Sequence, residues 1–109
     1  MKEYRILFMG TAQFAVPSLI KLLDLNQNIV NVYSSPPKKA NRGMEVTNSP
    51  VINFAQSKGL NYSHPDNLKD ELEVKKIKEL ELDIIIVIAY GLIIPREILT
   101  IPKKGCFNL

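Results

Sequence analysis

The chain has 109 residues, 46% of them apolar, and a formal net charge of +3. That is enough for one modest domain with a core, and it argues against intrinsic disorder. The mild basic balance permits an anionic partner such as RNA or a phosphorylated ligand without demanding one, since a solvated basic surface gives the same count. A lone cysteine, Cys106, forms no disulfide within the chain and fits a reducing cytoplasm. Cys106 and the single histidine, His64, lie far apart and suggest no metal site.

Tyr4 to Met9 reads as a first strand, ended by Gly10-Thr11. Its apolar core, Ile6 to Met9, is too short for a signal peptide. Val16, Leu19, Ile20 and Leu23 then recur at helical spacing, with Pro17 in the first turn. One glycine at this strand-to-helix turn is a poor match to the dinucleotide-binding G-x-G-x-x-G pattern. Gly10 reads either as a plain structural turn or as the face of a small-ligand or anion site.

Ile29 to Tyr33 is a second strand. Ser34 to Asn48, with two prolines, Gly43 and the basic residues Lys38, Lys39 and Arg42, is expected to be an exposed loop of unusual length. Those cations form a solvated cluster or a phosphate-seeking arm. Ser49-Pro50 should open a helix buried along Val51, Phe54 and Ala55 and stopped by Gly59. Leu60 to Ser63 is a short strand leading to His64, which reads as a loop residue. Asn67, with Asp70 three residues on, is expected to cap a third helix carrying Leu68, Leu72, Ile77 and Leu80 on its apolar side. Glu71 and Lys75 lie on its solvated face.

Leu82 to Pro95 is the organising stretch. Ile84 to Ile88 is an unbroken β-branched run suited to a strand buried on both faces. Ala89-Tyr90-Gly91 breaks it, and Pro95 opens a short helix to Leu99. The whole apolar stretch is well short of the ~20 residues of a membrane helix. Cys106 to Leu109 begins a further strand. Alternating strands and helices predict an α/β, doubly wound, mainly parallel Rossmann-like sheet in the order 3-2-1-4-5. Strands one and four then meet at the switch point, where ligands collect at the carboxyl ends of strands. Tyr90 to Ile94 is therefore either a ligand-contacting turn or a tight apolar turn with no ligand.

Four stretches together, RILFMGTAQFAVPSL (5–19), RGMEVTNSPV (42–51), DIIIVIAYGLIIP (83–95) and GCFNL (105–109), resemble the amino-terminal part of the catalytic domain of methionyl-tRNA formyltransferase. The likeness covers essentially the whole chain. It implies the formyltransferase fold, truncated at its C-terminal side, with 1–109 as the N-terminal part of the catalytic domain and the C-terminal tRNA-binding domain absent. It implies a bacterial, cytoplasmic transferase of translation initiation, moving a formyl group from 10-formyltetrahydrofolate to the amino group of initiator methionyl-tRNA without a metal.

By the same resemblance Tyr90, Gly91, Leu92, Ile93 and Ile94 contact folate, largely through backbone groups, and Gly10 and Thr11 lie near the active site. Lys38, Lys39 and Arg42 reach tRNA, with Arg42 on the family's key arginine. Asn108 matches the asparagine that hydrogen-bonds the formyl oxygen. Amine attack on a formyl carbonyl builds negative charge on oxygen, which a fixed amide N–H opposes.

Departures accompany the matches. The family continues past the asparagine into a His-x-Ser-Leu-Leu-Pro segment and later a catalytic aspartate, neither of which has a position here. Met44 and Glu45 replace usual lysines, Pro37 replaces an acidic residue, and Ala12-Gln13 replaces a common Pro-Glu. The chain alone is therefore expected to be inactive, and its exposed sheet edge is expected to drive self-association. The alternatives are a degenerate, non-catalytic folate-binding domain, or a formyltransferase with another amine acceptor such as glycinamide ribonucleotide or an amino sugar nucleotide.

Overall fold

Five parallel strands carry the molecule, and the β-branched run at Ile84–Ile88 lies near their middle. A computed structural model describes residues 3–40 and 45–109. Strand β1 (Arg5–Gly10) leads through a 3-10 turn (Gln13–Ala15) into helix α1 (Val16–Asp24) and strand β2 (Asn28–Tyr33). Two short strands, β3 (Lys38–Ala40) and β4 (Glu45–Thr47), precede helix α2 (Pro50–Ser57) and strand β5 (Tyr62–Ser63). Helix α3 (Glu71–Glu79), strand β6 (Ile84–Ile88), helix α4 (Arg96–Leu99) and strand β7 (Gly105–Asn108) complete the order. The sheet runs β5-β2-β1-β6-β7 with every pairing parallel, which is the order expected from the sequence.

Side chains alternate across a strand, so each strand feeds two cores. Leu7, Met9, Tyr33, Ile85 and Val87 pack on one face with Val74 and Ile77 of α3 and Ile98 of α4. Phe8, Val32 and Ile88 pack on the other with Val16 and Leu19 of α1 and Val51 and Ala55 of α2. Burial on both faces explains why the strands read as continuous apolar runs.

Local chemistry sets the helix ends. Ser49 Oγ accepts the Ile52 N–H at 3.1 Å, with Pro50 at the first helical position, as expected of that pair. The third helix begins later than the sequence suggested. Asp70, not Asn67, caps α3 by accepting the Leu72 N–H at 2.9 Å. Asn67 Oδ1 instead accepts the Lys69 N–H within the preceding turn. Val74 and Ile77 are buried, while Leu72, five residues before Ile77 and so about 140° around the helix from it, is exposed. On α1, Leu19 is buried and Ile20 exposed, because the stripe facing the sheet is narrower than the sequence period allowed.

The expected long loop is in part a hairpin. β3 and β4 pair antiparallel, with Lys38 opposite Thr47 and Lys39 opposite Val46. Its base is not exposed either, since Ser34, Ser35 and Ser49 are buried. Small hydroxyl residues can be buried when they hydrogen-bond one another, which loop composition alone does not reveal. Arg42, Gly43 and Met44, which the sequence reading placed in the substrate-facing loop, lie outside the described residues.

Candidate functional site

The carboxyl ends of β1, β6 and β7 meet where the chain leaves β6. Ile88 is followed by Ala89 at φ 48° and, two residues after that alanine, Gly91 at φ 90°. Glycine holds such a φ freely, whereas alanine pays about 1–2 kcal/mol. Such strain persists only when neighbouring contacts over-determine the backbone, and it clusters at ligand sites. Here the Ala89 carbonyl accepts the N–H groups of Thr11 at 2.9 Å and Ala12 at 3.4 Å. The Tyr90 carbonyl accepts from Thr11 Oγ1 at 2.6 Å and Ser35 Oγ at 2.9 Å.

Beside the turn is a cavity of about 550 Å³, walled by Tyr90, Gly91, Leu92 and Ile94 on one side and by Cys106 and Asn108 of β7 on the other. Val87 and Leu99 close its apolar part. Its size lies within the range of small-molecule sites, and its lining joins apolar side chains to main-chain polar atoms and one amide. Asn108 arrives there because β7 pairs in register with β6, setting Asn108 opposite Val87. Burial raises the Cys106 thiol above its usual range, so that wall is neutral.

The candidate residues distribute around this turn unevenly. Tyr90, Gly91, Leu92 and Ile94 share the cavity with Asn108. Ile93 does not: it is 81% exposed and faces an adjoining hollow of about 490 Å³ with Asp66, Asn67 and Lys69. Gly10 ends β1 directly beside Ile88. A Cβ there would come within 2.8 Å of the Ile88 carbonyl oxygen, so glycine is required for the strand tips to approach. Thr11 lies outside the main cavity and lines a hollow of about 280 Å³ with Lys38, Thr47, Asn48 and Ser49. Lys39 is placed only by its backbone in β3, and Arg42 is outside the described residues.

Two groups escaped the sequence reading. Ser34 and Ser35 are buried hydroxyls, and the Ser34 and Ser49 oxygens are 2.6 Å apart. The signal available was a polar pair directly after an apolar strand. Beneath the turn, Tyr33 donates its hydroxyl to Glu73 Oε1 at 2.5 Å, while the buried Tyr90 hydroxyl has no partner among the described residues. No sequence pattern links β2, α3 and the turn after β6, so only folding brings these together. His64 is exposed, and no group of three potential metal ligands forms among the described residues.

A parallel sheet with a ligand-sized cavity at the β6–β7 tips defines an α/β domain with a candidate small-molecule site, and comparison with known proteins identifies its kind. The formyl transferase family model matches residues 4–109, and the chain belongs to that family. Among curated proteins it resembles methionyl-tRNA formyltransferases. It is 45% identical over 105 residues to the one from Parvibaculum lavamentivorans, covering 96% of this chain and 34% of that protein. Against the one from Ehrlichia ruminantium (strain Gardel) the identity is 46% over 106 residues, covering 96% and 35%. The chain thus spans about a third of the length of these relatives. Among solved structures, phosphoribosylglycinamide formyltransferase from Anaplasma phagocytophilum superposes with a TM-score of 0.66 at 17% identity, over 98% of this chain and 49% of that one. At that identity the likeness is one of fold.

Proposed function

We propose that this chain forms the formyl-donor side of an enzyme that transfers a formyl group from 10-formyltetrahydrofolate to the amino group of initiator methionyl-tRNA. One observation carries the reading: Tyr90, Gly91, Leu92 and Ile94 of the strained turn and the Asn108 amide line the same cavity, from adjoining strand tips. The folate, when bound, supplies the activated formyl group. Main-chain atoms of Gly91 and Leu92 would hold its ring system against the apolar wall of Val87, Ile94 and Leu99. Asn108 would donate its amide N–H to the formyl oxygen as charge develops there. Methionyl-tRNA as the acceptor is supported by the relatives at 45% and 46% identity, and Lys38 would meet its phosphates.

The described residues lining the cavity include no carboxylate or imidazole, so nothing among them removes a proton from the attacking amine. On this proposal the 109-residue chain by itself should bind a reduced folate but not turn over. Calorimetric titration with 5-formyltetrahydrofolate is the test of binding, and heats no different from dilution would remove the reading. In an enzyme carrying this segment with the rest of the formyltransferase fold, Asn108→Ala should slow formylation about 100- to 1000-fold. Because Asn108 is exposed, its loss should leave the melting temperature nearly unchanged.

A further inference from the structure

The carbonyl of Tyr90 lies between the two positive-φ residues of the turn, and it is held from outside its own strand. Thr11 follows the end of β1 and Ser35 follows the end of β2, yet both hydroxyls converge on that one oxygen, at 2.6 and 2.9 Å. Behind them the hydroxyls form an ordered chain. Ser49 Oγ accepts the Ile52 N–H at 3.1 Å and lies 2.6 Å from Ser34 Oγ; either hydroxyl can donate there, and with Ser49 as donor the Ser34 proton is free to pass onward. Ser34 Oγ donates to Thr11 Oγ1 at 3.4 Å, and the Ser35 N–H donates to the same oxygen at 3.0 Å. Thr11 Oγ1 also lies 3.0 Å from Ser35 Oγ, but with its acceptor side filled its single proton goes to the nearer Tyr90 carbonyl, at 2.6 Å. In this arrangement each hydroxyl proton is used once and no donor is left over.

A planar trans peptide makes the consequence specific. Fixing the Tyr90 carbonyl oxygen fixes the Gly91 N–H on the opposite side of the same plane. We infer that Thr11 and Ser35, backed by Ser34 and Ser49, are positioning residues that set the Tyr90–Gly91 peptide, and so the main-chain groups of Gly91 and Leu92, before a ligand arrives. Preorganised polar groups bind without a further ordering cost, and small misplacements of them lose much of the effect. The ligand part of this inference rests on the folate reading of the cavity; the geometric part does not.

The experiment uses the ¹⁵N-labelled chain, with 5-formyltetrahydrofolate as probe and Thr11→Val, Ser35→Ala and Thr11→Ser as variants. Thr11→Val and Ser35→Ala should each move the Gly91 and Leu92 amide resonances, speed their exchange with solvent, and weaken probe binding about tenfold. Thr11→Ser keeps the hydroxyl and should restore both readouts to near the parent. Unmoved Gly91 and Leu92 amides in Ser35→Ala and in Thr11→Val would overturn the inference, as would a Thr11→Ser variant as impaired as Thr11→Val. Should Thr11→Val fail to fold, Ser35→Ala and Thr11→Ser decide the matter alone. A parent chain that ignores the probe would remove the folate reading, while the amide shifts still decide the positioning role.

Discussion

Two buried tyrosines next to Glu73 differ in a way that can be measured. Burial, and then the Glu73 charge, push the Tyr90 phenol up to about 12, and the same two causes with a hydrogen bond to Glu73 raise Tyr33 well above its usual range. A phenol whose value is higher folded than unfolded holds its proton more tightly in the folded state. Its contribution is therefore intact below about pH 10, the unfolded value, and is lost as pH rises through the folded one. Denaturant unfolding should show stability falling between about pH 10 and 12. Tyr90→Phe removes a buried hydroxyl that has no partner among the described residues, so at neutral pH it should be neutral or stabilising by up to about 1 kcal/mol and should flatten the alkaline fall. Tyr33→Phe strips a donor from Glu73 and should destabilise by about 1–3 kcal/mol. Equal effects of the two changes would contradict the bonding pattern. At Gly10, an added Cβ meets the Ile88 main chain as well as Phe8 and Ala15, so Gly10→Ala should cost about 1–3 kcal/mol in the same assay.

The β3–β4 hairpin changes how the basic segment between β2 and α2 is to be understood. It leaves the sheet at Ser34-Ser35 and returns at Ser49, and those ends are joined by the contact between the Ser34 and Ser49 hydroxyls. A segment anchored at its base presents Lys38 from a defined place, beside Thr11 and the first turn of α2. If this lysine meets a tRNA phosphate, Lys38→Ala should weaken tRNA binding by the complete enzyme at low salt. The slope of log affinity against log salt should fall by about 1. An unchanged slope would put the phosphate contact elsewhere on the segment.

Across the whole sheet, the strand order leaves β5 and β7 at the two edges. β5 has two residues and offers little to pair with, but β7 has four and carries Phe107 at 51% exposure, with Leu109 beyond it at 78%. An open edge flanked by exposed apolar groups invites strand pairing between molecules. The 109-residue chain should therefore sediment as a concentration-dependent mixture larger than monomer, and Phe107→Lys should shift it toward monomer. A parent chain that is monomeric at high micromolar concentration would refute this.

Much of this architecture was legible in the residues, for a definite reason. Ile84 to Ile88, Tyr4 to Met9 and Ile29 to Tyr33 are short apolar runs separated by helical periods, and that alternation admits few sheet orders once crossovers obey their usual handedness. The turn at Tyr90–Gly91 was legible too, since a glycine there breaks a β-branched run at the end where such sheets bind ligands. What the sequence could not contain is which distant groups converge on that turn. Ser35 and Glu73 are unremarkable polar residues in their own segments, Ser49 was legible only as a helix cap and Thr11 only as a strand-end neighbour, and the packing of β1, β2 and β6 with α2 and α3 brings them together. Registers are fixed by packing on both sheet faces at once, so the hydroxyl chain, the orphaned Tyr90 phenol and the separation of Ile93 from Asn108 belong to the tertiary structure alone.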